Sequence, residues 1–420
     1  MSVERSVKGF LRALPRTGTA ALLVTVAGCG HDDDVIVLPA NALNVPNSVA
    51  VADVNGDGIA DLVLATTFDR GNADNPGMAS VILGNKSPAG TFQTAVQYPT
   101  NASDPSSIAA VDLTGSGGID LIVANFGSGS VSIFMHDPAN PGHYLAAVNV
   151  NTGGQPNQVV VGDLNGDGKP DLALADMSPS GNVIVLLQDA ANPGHFLAPT
   201  TLATGYVTPG VAIADVNGDG KPDLIAANFD SNGNNGRVSV FLQDPANAGN
   251  FLARTDFPAG AQPQAVKVAD VNGDGLSDVV VANRGPGSDG TGTFGASVLL
   301  QDPAHAGAFL APVTYATQPG SVDIAVGDLN GDGKLDLVVA NLGPPPTGSV
   351  SVLLQDPAHP GAYLAATSYA GYGQPLGVAI ADLNGDGHPD IAVADANSAT
   401  VMLQVASAPG TFSSAVPVGY

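Results

Sequence analysis

Apolar residues in this chain come in short runs, each closed by a turn signal. Residues 157–204 show one full unit. "NQVVVGD" alternates enough to be a strand, and "DLALAD" is nearly continuous in apolar residues, as suits a central strand buried on both faces. "GNVIVLLQD" is a third strand. "HFLAPTTLAT" is a fourth and more polar one, as an outer edge strand should be. Four antiparallel strands in about 50 residues predict a propeller blade, A to D from the centre outward. Small Ala and Val side chains let neighbouring blades pack face to face. The 53 glycines, 32 prolines and 5% aromatic content fit many short strands joined by tight turns rather than helices.

The unit repeats, and the repeat sets the domain count. The turn between its first two strands reads "DVNGDGIAD" from Asp53, "DLTGSGGID" from Asp112, "DLNGDGKPD" from Asp163 and "DVNGDGKPD" from Asp215. It continues as "DVNGDGLSD" from Asp270, "DLNGDGKLD" from Asp328 and "DLNGDGHPD" from Asp382. The spacings are 59, 51, 52, 55, 58 and 54 residues. Seven units predict an all-β, seven-bladed propeller over residues 47–420, with residues 29–46 as a tether and candidate closing strand. Closure is expected from a terminal strand, either "VIVLPANALNV" or "TFSSAVPVGY", latching onto the other end of the chain.

The turn carries more than turn chemistry. Asn-Gly alone signals a hairpin, but it does not require aspartates at positions 1, 5 and 9, which repel one another if nothing lies between them. Oxygen donors on alternate residues, with a glycine at position 6 for a sharp turn, follow the logic of calcium loops. Calcium suits this set better than magnesium, which demands stricter octahedral geometry. The candidate ligands of the first loop are Asp53, Asn55, Asp57 and Asp61, with the carbonyl of Ile59 at position 7. The third loop offers Asp163, Asn165, Asp167, Lys169 and Asp171, and the fourth Asp215, Asn217, Asp219, Lys221 and Asp223. The fifth offers Asp270, Asn272, Asp274, Leu276 and Asp278, and the sixth Asp328, Asn330, Asp332, Lys334 and Asp336. The seventh offers Asp382, Asn384, Asp386, His388 and Asp390. In the second loop only Asp112 and Asp120 remain, because Thr114 and Ser116 replace the other two donors. Six calcium sites are therefore expected, with blade two as a seventh candidate.

This pattern also explains the charge. Formal net charge is −25, and the loops hold 20 of the 38 acidic residues, so the acidity is local and repeated. No basic patch is present to meet phosphates, which excludes a nucleic-acid partner.

Residues 1–28 begin with Arg5, Lys8, Arg12 and Arg16 and continue into "TAALLVTVAG", too short to span a bilayer and suited to a cleavable signal. The chain's one cysteine, Cys29, follows directly in "VAGC". This segment resembles the lipobox of bacterial lipoproteins. The resemblance implies cleavage before Cys29, its diacylation, and an anchor of two or three acyl chains. By the same resemblance, Gly30 after the cysteine favours the outer membrane or cell surface. A monomer is expected, and with one cysteine it has no internal disulfide.

The loops, followed by "DLVVAN"-type strands, resemble the FG-GAP/VCBS repeat family, which includes the calcium-bearing seven-bladed propellers of integrin alpha subunits. The resemblance covers nearly the whole of residues 47–420. It implies a binding or adhesion scaffold that recognises an extracellular protein or polysaccharide. A carbohydrate-binding lectin is the alternative, and a polysaccharide-active enzyme ranks third. The chain is expected to be non-catalytic. After residue 28 it has no glutamate and no tryptophan, and His143, His195, His305 and His359 fall at matching places of the C–D turn in different blades. Length varies most in the B–C loops, where Arg237 and Arg284 lie in neighbouring blades. Those two arginines are the candidate ligand-binding residues, expected to meet over one cleft between blades 4 and 5 and to capture a carboxylate or sulfate.

Overall fold

The structure is a computed structural model that describes residues 21–25, 35–39, 44–68, 77–230, 233, 236–286, 294–343, 348–396 and 398–418. Strands β1 (Ala21–Thr25) and β2 (Val35–Pro39) pair with each other in a two-stranded antiparallel sheet. The remaining strands, β3 to β30 in chain order, form seven four-stranded antiparallel sheets. Each sheet uses four consecutive strands. Blade 1 spans Asn44–Pro99, blade 2 Pro105–Asn151, blade 3 Pro156–Ala203 and blade 4 Val207–Gly260. Blade 5 spans Pro263–Tyr315, blade 6 Ser321–Tyr372 and blade 7 Pro375–Val418.

The hydrophobic pattern accounts for the stacking. In blades 2 to 7 the second strand, such as β8 (Asp120–Asn125) and β12 (Asp171–Asp176), is buried at every residue. Successive side chains of a strand point to opposite faces. Leu121 and Val123 accordingly pack on blade 1, while Ile122 and Ala124 pack on blade 3. The outer strands, such as β14 (Thr200–Ala203), are mostly exposed. Among the described residues no helix is long and apolar enough to cross a membrane.

Closure differs from expectation. The C-terminal strand β30 (Val416–Val418) pairs with β29 (Ser398–Met402) inside its own blade, and β2 pairs with β1. Among the described residues no terminal strand latches the ring. Packing closes it instead: Val49, Leu62 and Leu64 of blade 1 share one buried cluster with Leu383, Ala392 and Ala394 of blade 7. Every blade already has both faces apolar, so the last meets the first through the same kind of interface that joins the others.

Candidate functional site

Each full A–B loop folds back on its own backbone. In blade 3, Asp163 Oδ1 accepts the N–H groups of Gly166 at 2.7 Å and Asp167 at 3.0 Å, and Oδ2 accepts that of Gly168 at 2.8 Å. Asn165 Oδ1 accepts the Asp167 N–H at 2.8 Å, and Asp167 Oδ1 accepts the Lys169 N–H at 2.9 Å. Gly166 and Gly168 hold φ of +76° and +82°, which is why the motif needs glycine there. The same bonds recur in blades 4 to 7, as in Asp215 to Gly220 and Asp382 to Gly387. In blade 4 the position-7 lysine turns outward, with Lys221 Nζ donating to the Pro245 carbonyl at 3.0 Å.

Position 9 lies buried beneath the loop. Asp171 is fully buried; its Oδ2 accepts the Leu164 N–H at 2.8 Å and its Oδ1 the Gln188 N–H at 2.7 Å. Asp61, Asp223, Asp278, Asp336 and Asp390 bond in the same way. Each of these six carboxyls is raised to about 6, chiefly by burial, with two backbone N–H bonds pulling it down and the aspartates at positions 5 and 1 pushing it up. Among the described residues no three His, Cys, Asp or Glu side chains converge as a metal cluster. The donors at positions 1, 3 and 5 fit a hard cation in kind and lie together at the loop tip, with Asn165 Nδ2 3.3 Å from Asp167 Oδ2. Positions 1 and 9 alike have both carboxylate oxygens accepting backbone N–H groups.

Sequence reasoning did not see how the loops meet the neighbouring blade. Gln188 of blade 3 donates from Nε2 to the Leu113 carbonyl of the blade 2 loop at 3.1 Å. Gln243, Gln355 and Gln404 reach back to Leu164, Val271 and Leu329 at 2.7, 2.7 and 2.6 Å, and Gln301 reaches Val216. A C–D turn glycine then covers position 3: a Cβ on Gly249 would lie 3.2 Å from that of Asn165, and one on Gly90 of blade 1 would lie 3.1 Å from that of Asn384 in blade 7.

Blade 2 breaks the pattern at two places. Thr114 Oγ1 and Ser116 Oγ hydrogen-bond each other at 3.0 Å where the full loops have Asn and Asp. His136 takes the place of the glutamine, and its Nδ1 lies 2.8 Å from Oδ1 of the buried Asp120. His136 escaped notice in the sequence, although aligning "FMHDPANPG" with "VLLQDAANPG" exposes it. His305 and His359 stay local to their turns, pairing with Asp302 and Asp356 at 2.8 and 2.7 Å, whereas His143 reaches blade 1, its Nδ1 3.0 Å from Tyr98 Oη.

Arg237 faces blade 3, not blade 5. It shares a strand face with Phe241, which packs on blade 3, while Val238 and Val240 pack toward blade 5. Its guanidinium lies 4.7 Å from the Tyr206 ring centroid, and Nη1 lies 3.5 Å from Asp256 Oδ2. Strand alternation therefore prevents the shared cleft with Arg284 that the sequence suggested. Arg284 is held through its backbone, donating to Gln262 and accepting from Gly320, each at 3.1 Å. Cys29 and most of the long B–C loops lie outside the described residues.

The FG-GAP-like repeat family matches residues 53–123, 112–174, 163–226, 215–281, 274–339 and 328–393 in overlapping copies. No curated protein gives a significant match in sequence. Among solved structures the chain is similar to the periplasmic gluconolactonase PpgL of Pseudomonas aeruginosa, at 19% identity and a TM-score of 0.59, over 86% of this chain and 96% of that one. It is also similar to a candidate 6-phosphogluconolactonase of Bacteroides uniformis, at 17% identity and a TM-score of 0.57, over 83% and 94%. At these identities the likeness is one of fold. It nevertheless overturns the expectation of a non-catalytic chain, because the propellers that match are named as enzymes. The expectation rested on the lack of catalytic motifs along the sequence. A propeller assembles side chains from separate strands, as it does Asp120 and His136 of blade 2, so such a lack decides nothing.

Proposed function

The chain belongs to the FG-GAP-like repeat family, and from that premise we propose that it is a calcium-loaded propeller, exported and lipid-anchored through Cys29, that binds a ligand at the cell surface. The carrying observation is the place of the loops. Each full loop presents hard oxygen donors at positions 1, 3 and 5, and the C–D turn of the following blade covers it, as Gly249 covers Asn165. An ion held by Asp163, Asn165, Asp167 and the Lys169 carbonyl would brace blade 3 against blade 4, and the equivalent sets would brace five other junctions. Bound calcium supplies positive charge among carboxylates that otherwise repel, and the rigid ring then carries the binding surface. Blade 2, with Asp112, Asp120 and a histidine in place of the glutamine, is read as the junction that works without an ion. The test is a pull-down from cell envelope with the full chain, in calcium and in chelator. Capture of a ligand that is lost on chelation supports the reading; equal capture in both conditions refutes the role of the ion.

A second reading is favoured by the two lactonase-named propellers, which match over nearly their full length. Hydrolysis of a sugar lactone by the same scaffold predicts pH-stat activity on gluconolactone above the uncatalysed rate. Activity at the uncatalysed rate removes that reading.

A further inference from the structure

The seven blades repeat so closely that departures from the repeat can be read against six internal controls. A need of the scaffold is common to all blades; a cluster of departures at one junction is not a need of the scaffold. Three departures meet on the face of blade 4 that turns to blade 3. Arg254 stands where the other blades have alanine or proline, as at Ala147 and Pro199. Arg237 stands where they have small or uncharged residues, as at Ser130 and Asn182. Asp256 is the one acidic residue at its position, where Asn149 and Thr201 stand elsewhere.

These side chains form one assembly. Arg254 Nε donates to Asp256 Oδ1 at 3.0 Å, and Ser239 Oγ donates to the same oxygen at 2.6 Å. The Tyr206 ring, from the turn that joins blade 3 to blade 4, lies near both guanidiniums, 4.7 Å from that of Arg237 and 5.8 Å from that of Arg254. The group borders an open cleft of about 560 Å³ between β14 and the start of β18 (Thr255–Gly260), with the partly exposed Phe251 on its floor and Phe241 buried behind it. A second cleft, of about 290 Å³, meets the first at Asp256 and is bordered by Arg237. The two guanidiniums stand at this junction on a protein whose net charge is −25.

The hydrogen bonds narrow the ligand class. Arg254 Nη1 donates to the Ala203 carbonyl at 2.7 Å, which occupies an acceptor on the edge of β14 and obstructs an added peptide strand there. Nε is engaged with Asp256, and Nη2 has no acceptor among the described residues. The cleft thus offers point contacts rather than a ladder: guanidinium donors beside a carboxylate and the Thr201 hydroxyl, over an aromatic floor. A sugar acid presents the complement, an anionic group for the arginine, hydroxyls for Asp256 and Thr201, and an apolar ring face for the floor.

We propose that the cleft between blades 3 and 4 binds an acidic oligosaccharide, with Arg254 and Arg237 receiving its carboxylate or sulfate group. This deepens the surface-binding reading and rests on it. The test uses the full chain in calcium and calorimetric titration with trigalacturonate, a sulfated disaccharide and maltotriose. The variants Arg254→Ala and Arg237→Ser install residues that other blades use at these positions, so the fold is expected to hold, and melting temperature checks it. Binding of either acidic sugar, stronger at low salt, about tenfold weaker in each variant and absent with maltotriose, is the expected result. The two acidic sugars separate a carboxylate from a sulfate preference. Unchanged affinity in Arg254→Ala, or no binding of either acidic sugar by the parent, overturns the proposal. Calcium-dependent capture from envelope that persists in Arg254→Ala sinks this site while leaving the surface-binding reading intact; loss of that calcium dependence in the parent sinks the reading itself.

Discussion

Rebuilding the blade 2 loop is the sharpest use of the internal repeat. The variant carries Thr114→Asn, Ser116→Asp and His136→Gln together. The first two restore the donors at positions 3 and 5. The third restores the strap, because a glutamine at 136 is placed to reach the Val54 carbonyl as Gln188 reaches Leu113 at 3.1 Å. The third change also removes a hydrogen-bond partner of Asp120, since His136 Nδ1 is 2.8 Å from its Oδ1. In calcium the new ion contributes about 2.7 kcal/mol at a hundredfold excess over Kd, and the strap about 1 kcal/mol. In chelator the sign reverses. Two carboxylates roughly 5 Å apart at an effective dielectric near 20 repel by about 3 kcal/mol before solvent screening, so a net loss of about 1 kcal/mol or more is expected at the exposed loop. Native mass spectrometry should count one more ion than in the parent, and thermal unfolding should show the variant above the parent in calcium and below it in chelator. An unchanged ion count, or a variant that sits on one side of the parent in both conditions, refutes the reasoning.

Three further outcomes are expected. Leu64→Ala at the blade 7–1 interface should cost about 2–5 kcal/mol in urea unfolding, matching Leu174→Ala at the blade 2–3 interface; a cost below about 0.5 kcal/mol for Leu64 alone would mean that packing does not close the ring. Burial holds the Asp395 carboxyl above its ordinary value against N–H bonds from Gly373 and Gln374, so its contribution to stability is full below the ordinary carboxyl range and is lost as pH rises through the raised value. Asp395→Asn, the residue at this place in Asn125 and Asn341, should therefore gain on the parent as pH rises from about 4 to 7, and a difference that does not change with pH contradicts this. Cys29→Ser should leave the protein unprocessed or soluble on fractionation; a membrane-bound, mature-size product would remove the lipobox reading.

The strands were legible because their chemistry is local. "DLALAD" is apolar on both faces and is buried on both, and "TTLA" is polar and lies at the edge. The loop spacing pointed to seven blades, since a repeated supersecondary unit needs no long-range information. What was not legible depends on contacts between strands distant in sequence and between blades. A sequence does not show that Asp171 lies buried beneath its loop and accepts the N–H groups of Leu164 and Gln188. Arg237 and Arg284 are neighbours by blade number, but strand alternation sends Arg237 to Tyr206 on the other face. Arg254 and Tyr206 are 48 residues apart and meet only because blades 3 and 4 pack side by side. His136 escapes notice in the sequence until the fold sets it on Asp120.

The central claim is that the repeated loops hold calcium and that the ions carry stability from blade to blade. Native mass spectrometry of the folded chain, paired with melting curves in calcium and in chelator, tests it most directly. The account predicts six ions per chain and a melting temperature that falls on chelation. A folded chain that binds no calcium and melts at the same temperature in both conditions would contradict it.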